Sequence, residues 1–406
     1  MFSHDKFSVL PISSLFFAIA FLAIGYGLTI TFIGVHLKEQ GTSEIAIGII
    51  NASFFFGGML ASTFSQKIIS NVGHIRSFAV FASLMIITFL AQALYFNEFF
   101  WAYMRFTSGF SYYALLIILE SWLNEKSPER HRGKILAVYS IIFYLSMAIG
   151  QFILSFDIQN STIIFIIGAM LVLVSIIFIS MTKVKEPKLQ PFERYSLPRI
   201  FSIAPLALLG GFTGGFLFGG FMTMIPVYIL DKFTSVEVVS YFMGSAVLGA
   251  MLSQWPIGIL SDHFGRKLLL GFAGFFVALI AAVFILFNPS GVFLYILAAL
   301  LGMGIFCIYP LALARANDVL DEHKDIIEIS RALLFIYGFG SFVAPLVLSF
   351  GRSALPEFIF SSFFILGLFL AIFAATRPRI NPEDTSAFVN MPTVFSPEVQ
   401  NLDPRQ

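Results

Sequence analysis

The chain has 406 residues, 58% of them hydrophobic and 12% charged, with a net charge of +1 and a mean hydropathy of +0.89. Soluble domains average about 45–50% apolar and about 25% charged residues, so this composition describes a polytopic membrane protein. The balanced charge leaves no basic face for nucleic acid, and the single cysteine, Cys307, excludes an internal disulfide, a cysteine zinc cluster and an iron–sulfur site.

The opening residues MFSHDKF run straight into a long apolar stretch, and no small-residue cleavage site follows. That pattern predicts a first membrane helix that stays in place rather than a cleaved signal peptide. A span of about 30 Å needs roughly 20 apolar residues. Such runs lie at 11–35, 44–64, 76–96, 98–124, 133–155, 161–182, 200–230, 236–260, 268–288, 291–314, 327–350 and 356–376, which predicts about twelve transmembrane helices in an all-α protein. Residues 183–199, KVKEPKLQPFERYSLPR, are basic and contain proline at the midpoint. They read as a cytoplasmic linker between one helical bundle over 1–182 and a second over 200–376. The tail over 377–406 is polar and studded with proline, which predicts cytosolic disorder. With both termini cytoplasmic, only Lys38, Lys232 and Arg352 of the 24 lysines and arginines fall in outside loops, and Arg105 lies within the membrane. This is the asymmetry of the positive-inside rule.

The two halves resemble each other. NVGHIRS (71–77) and HFGRKLL (263–269) follow the second helix of each half, and their glycines, Gly73 and Gly265, stand 192 positions apart. AIGQFILS (148–155) and FVAPLVLS (342–349) repeat at nearly the same offset. Two parallel six-helix repeats with a solute site between them at mid-membrane form one large group of transporters.

The fourth run, MRFTSGFSYYALLIILESWLN (104–124), carries two charges, each costing about 2.5–3.5 kcal/mol at the centre of a spanning helix. At 100° per residue Arg105, Gly109, Tyr112, Leu116 and Glu120 fall within about 80° of one another, a stripe expected to face the protein interior. The two charges are about 22 Å apart along the axis and cannot pair with each other. Arg105 reads either as a substrate anchor or outer-gate cation, or as a structural partner of an acidic or carbonyl group; Glu98 is the nearest acid in sequence. Glu120 is the carboxylate set well inside a predicted helix. Protonation lets a carboxylate survive in low dielectric, so Glu120 reads as a proton-coupling group. The alternative is an inner-gate salt bridge to Arg331, at the start of the eleventh helix, or Arg315, at the end of the tenth.

Other polar or aromatic side chains deep in apolar runs are candidates for the substrate cavity: Tyr26, Asn51, Tyr144, Gln151, Gln254, Trp255, Tyr309 and Tyr337. Each is equally readable as an interhelical packing contact, and Gln254 and Trp255 precede Pro256, which predicts a kink. The glycine pairs of GGFTGGFLFGGFMTMIP (210–226) permit close helix crossing. The six histidines show no ligand spacing, and no P-loop is present, so neither a metal, nor another cofactor, nor ATP is expected. With few formal charges among the candidates, a neutral, zwitterionic or singly charged solute is favoured.

In GILSDHFGRKLLL (258–270), Gly258 permits close helix approach, Gly265 makes a turn, Asp262 is placed to cap the positive end of a neighbouring helix, and Arg266 and Lys267 suit the anionic membrane face. This stretch resembles the signature loop of the major facilitator superfamily, with Gly258, Leu260, Asp262, Gly265, Arg266 and Lys267 all matching. The resemblance implies two pseudo-symmetric six-helix bundles and a loop that latches them on the cytoplasmic side. The first-half copy, SQKIISNVGHIRS, keeps Gly73 but lacks the aspartate, so the complete latch lies in the second half. Pseudo-symmetry then docks Asp262 at the start of the fifth helix, beside Arg132 and Gly133; the alternative is a solvated turn that only marks topology. ESWLN…ERHRGKILAVYSIIFYLSMAIGQ, SQWPIGILSDHFGR and GMGIFCIYPLALA are similar to the YcaD-like branch of bacterial facilitators. That implies the fold and a transporter role; taken with Glu120, the expectation is a monomeric, multi-pass protein of the bacterial inner membrane that moves a small solute by alternating access, driven by protons, as importer or exporter. An uncoupled facilitator and a non-transporting solute sensor are the alternatives. An enzyme is not expected, since no paired histidines or serine–histidine arrangement lies near the midplane.

Overall fold

The computed structural model describes residues 12–127, 132–156, 160–182, 204–318 and 323–378, with residues 125, 132–133 and 323–331 described by backbone alone. Among these residues the chain forms twelve α-helices and no strand. In the first half they are α1 (Ser13–Glu39), α2 (Glu44–Val72), α3 (His74–Leu94), α4 (Glu98–Lys126), α5 (Arg132–Ile153) and α6 (Ser161–Ser180). The second half holds α7 (Pro205–Phe233), α8 (Val236–Phe264), α9 (Arg266–Phe287), α10 (Gly291–Asn317), α11 (His323–Ala354) and α12 (Phe358–Ala375). The apolar runs thus mark the helices to within a few residues. The largest departure is α2, which continues past its apolar window through Ser65, Gln66 and Lys67 to the turn at Gly73. A hydropathy window stops at polar residues, whereas the backbone ladder does not. The expected linker over 183–199 and the tail lie outside the described residues, apart from Arg377 and Pro378.

Eleven helices are long and apolar enough to cross a membrane, which makes this a multi-pass membrane protein; α4, with its charged and hydroxylated stripe, is the exception. The end of the bundle where α1 gives way to α2 is here called distal, and the end bearing the α2–α3 and α8–α9 turns proximal. Three distal N-termini, those of α2, α4 and α8, are capped by side chains that take up free helix-end amides: Ser43 Oγ accepts from the Ala46 amide, Asn97 Oδ1 from Phe100 and Ser235 Oγ from Val238. The proximal turns are single glycines, Gly73 at φ 95° and Gly265 at φ 85°, a backbone region that side chains with a Cβ avoid.

Reciprocal glycine crossings build each half. On α2 and α4 a Cβ at Gly57 would strike the Phe106 carbonyl, and one at Gly109 the Phe54 carbonyl. About 190 residues later Gly249 and Gly302 repeat that embrace between α8 and α10. Gly27 and Gly150 join α1 to α5 as Gly215 and Gly340 join α7 to α11. Small residues let these backbones approach where lipid gives no hydrophobic drive between helices. The result is two pseudo-symmetric six-helix bundles. They meet through α1 with α7, α2 with α7 and α11, and α5 with α8.

Candidate functional site

The interior between the halves is lined at mid-height by aromatic rings. Tyr26, at the centre of α1, stacks on Tyr112, at the centre of α4, with centroids 4.1 Å apart. Phe54 of α2 lies 6.0 Å from the Tyr26 ring and 6.1 Å from Tyr112. From the second half Phe218 of α7 packs 5.8 Å from Tyr337 of α11, and Tyr337 packs 4.5 Å from Tyr309 of α10. Phe55 and Phe218, 6.2 Å apart, join the two sets of rings, and Tyr144 of α5 reaches Phe306 of α10 at 5.9 Å. Tyr337 also lies within electrostatic reach of Tyr26.

About two turns towards the distal end from this layer, Arg105 is 1% exposed. Its guanidinium carbon sits 4.3 Å from the Phe54 centroid, a cation–π contact. Nη2 donates to Asn51 Oδ1 at 3.5 Å, the long limit of a hydrogen bond, and Nε has no partner. No carboxylate accompanies it among the described residues. Asn51 Nδ2 and the Tyr112 hydroxyl are likewise buried without a partner.

At the proximal side Glu120 is 0% exposed. The Tyr139 hydroxyl of α5 donates to its Oε1 at 2.9 Å. Its charge reaches Tyr112 and, across the halves, Tyr309, whose hydroxyl has no partner. Of the two arginines that the alternative reading offered to Glu120, Arg315 lies in the last turn of α10 and donates to the Pro378 carbonyl beyond α12 at 3.2 Å. The Arg331 side chain lies outside the described residues.

The remaining candidates separate. Gln151 is buried with both amide atoms unpartnered, and its backbone carbonyl accepts from Ser240 Oγ at 2.6 Å, tying α5 to α8. Gln254 folds back on its own helix, donating to the Ala250 carbonyl at 3.3 Å. Trp255 is a correction: it is 76% exposed and shares an outward stripe of α8 with Leu252 and Ile259. Adjacent helical residues point about 100° apart, so Gln254 turns inward and Trp255 away.

Two ionic clusters mark the ends. At the distal end Lys38 (α1) contacts Glu44 (α2) at 2.6 Å and Asp231 (α7) at 3.1 Å, while Arg352 (α11) contacts Glu44 at 3.0 Å and also Asp231. This four-residue square joins the halves and was not foreseen from the sequence. The available signal was that Lys38 and Arg352 are two of the three lone cations on that side. At the proximal end Arg266 is buried rather than at the membrane face. Its Nη1 bonds Asp318 Oδ1 at 2.6 Å and the Ala314 carbonyl at 2.8 Å. Asp262, 52% exposed on its side chain, contacts Arg266 at 3.3 Å across the Gly265 turn from α8 to α9. Its expected docking position at Arg132 and Gly133 lies outside the described side chains. Lys267 donates to the Ala375 carbonyl at 3.2 Å and to that of Arg377, neutralising the negative end of α12.

The family model described as Major Facilitator Superfamily matches residues 15–327. A protein of Shigella flexneri serotype 5b (strain 8401), named as the uncharacterized MFS-type transporter YcaD, is 26% identical over 360 residues, covering 88% of this chain and 92% of its own. Its namesake in Escherichia coli (strain K12 / DH10B) is 26% identical over 378 residues, with 91% and 97% covered. Two crystal structures of the nucleoside transporter NupG, one of a single-residue variant, superpose with TM-scores of 0.75 and 0.70 at 13% and 14% identity. They cover 90% and 91% of this chain and 99% and 97% of theirs, and at that identity the likeness is one of fold.

Proposed function

The chain belongs to the major facilitator superfamily, and on that premise we propose that it is a proton-driven secondary transporter moving a small solute by alternating access. The bundles over 1–182 and 200–376 rock about the ring layer as units, joined by the linker over 183–199. By the lysine and arginine asymmetry the proximal end and both termini face the cytoplasm of a bacterial cell, and the protein sits as a monomer in the inner membrane. It is a carrier rather than an enzyme: between the halves the described residues offer tyrosines, amides and two separated charges.

The observation that carries this reading is Glu120, a fully buried carboxylate held by Tyr139 of its own half and within reach of Tyr309 of the other. Such a group exchanges a proton when the surrounding halves part, because hydration favours its charged form and enclosure its neutral one. The distal square holds the halves together at the outer face, and breaking it exposes the interior to that side. Import and export both fit this cycle, since direction follows from whether proton and solute travel together or in opposition.

The test uses purified full-length protein in proteoliposomes and a solute taken from a thermal-shift screen of neutral and singly charged metabolites. Glu120→Gln is expected to abolish accumulation driven by a proton gradient while solute counterflow persists. Accumulation equal to the wild type removes Glu120 from coupling. Binding without any counterflow in the wild type identifies a sensor instead.

A further inference from the structure

We infer that the transported solute is an aromatic monocarboxylate, its carboxylate held by Arg105 and its ring received by the Tyr26–Tyr112 layer; this rests on the transport reading above. A guanidinium keeps its charge, and a buried charge without a counter-ion is strongly disfavoured. Arg105 has none among the described residues; one face is covered by Phe54, and its single hydrogen bond, to Asn51, is stretched to 3.5 Å.

The donors left over have a geometry. Nε and Nη2 form the edge of a guanidinium that grips a carboxylate through two parallel hydrogen bonds. Here Nε is unpartnered and Nη2 is held loosely, so this edge is the unsatisfied one. Beside it the Asn51 amide nitrogen is a further buried donor without an acceptor. A two-pronged guanidinium edge with a neighbouring amide N–H calls for an anion with more than one oxygen.

The body of the solute follows from the layer next to it. Tyr26 and Tyr112 stack at 4.1 Å, and Tyr337 of the other half lies within electrostatic reach of Tyr26. Rings favour a flat partner in offset or edge-on contact. No second cation lies in this part of the interior among the described residues, which limits the solute to one negative charge.

Benzoate, benzamide, cyclohexanecarboxylate, acetate and chloride separate these requirements when titrated against detergent-purified full-length protein by calorimetry. The expected order is benzoate first, benzamide weaker by roughly tenfold or more, cyclohexanecarboxylate between them, and acetate and chloride weakest. Arg105→Gln is expected to erase the preference for benzoate over benzamide, and Arg105→Lys to keep the preference at reduced affinity, since the charge remains and the fork is lost. Equal binding of benzoate and benzamide by the wild type, or no binding of benzoate at millimolar concentration, overturns the inference even if neither variant folds. So does an unchanged preference in Arg105→Gln. Benzoate binding without benzoate counterflow in proteoliposomes sinks the transport reading and leaves the anion site; counterflow of neutral solutes alone does the reverse.

Discussion

The residue after each proximal turn shows how the two halves diverged on a shared scaffold. After Gly73, His74 shares a hydrogen bond of 3.1 Å with Ser121 near the end of α4. After Gly265, the corresponding Arg266 makes a buried ion pair of 2.6 Å with Asp318 just beyond α10. The same reach from turn to helix end is thus a neutral contact in one half and a charged staple in the other. The interiors differ in the opposite sense. Arg105 and Glu120 sit inside the first half, while the middles of α7 to α12 carry no ionisable acid or base among Asp, Glu, Lys and Arg. Instead, α7, α8, α10 and α11 contain Pro226, Pro256, Pro310 and Pro345, each of which removes a ladder hydrogen bond and favours bending. The first half holds the two charges buried mid-membrane, and the second is stapled at its turn and carries prolines within its helices.

Three measurements test that contrast. The scaffold itself should be symmetric: Gly109→Val and Gly302→Val each force a side chain into a facing carbonyl and should destabilise the protein by about 3 kcal/mol or more. Melting in detergent reads this, and a large loss in one variant alone would break the equivalence of the crossings. Next, the turns should be unequal. Arg266→Ala removes the buried cation 2.6 Å from Asp318 and should cost about 3–5 kcal/mol, against about 1–2 kcal/mol for His74→Ala; equal losses would remove the staple from the comparison. The smallest effect belongs to the seam between the halves. Glu44→Gln should shift spin-label distances across the distal end towards the open form by no more than a few-fold, because partly exposed pairs contribute about 0.2–1 kcal/mol each. Added salt should mimic the substitution in the wild type and do little further in the variant.

Much of this was legible in the sequence. The helices follow from the lengths of the apolar runs, and the inward stripe of α4 from the spacing of Arg105, Tyr112 and Glu120. What partners those residues was not legible, because partners come from other helices. Phe54 stands in an ordinary apolar run and becomes the platform for Arg105 only when Gly57 and Gly109 bring α2 against α4. Tyr139 reaches Glu120 only through the packing of α5. Trp255 and Gln254 share an apolar neighbourhood in sequence, and only the azimuth of α8 separates lipid from interior. Arg266 looked like a membrane-face cation because its acid, Asp318, is brought near by the fold rather than by the chain. The distal square needs both halves in register, which no single run of residues encodes.

The distal square has a consequence for energetics in a living membrane. Each of its sides is neutral alone, Lys38 with Glu44 in the first half and Asp231 with Arg352 in the second. When the halves separate, no bare ion is stranded, and no net charge of this cluster is carried through the transmembrane field. A displaced elementary charge would gain or lose about 2.3 kcal/mol per 100 mV, enough to couple the motion of that face to the cell's electrical state. On the transport cycle proposed above, parting this cluster is thus a step to which the membrane potential contributes little.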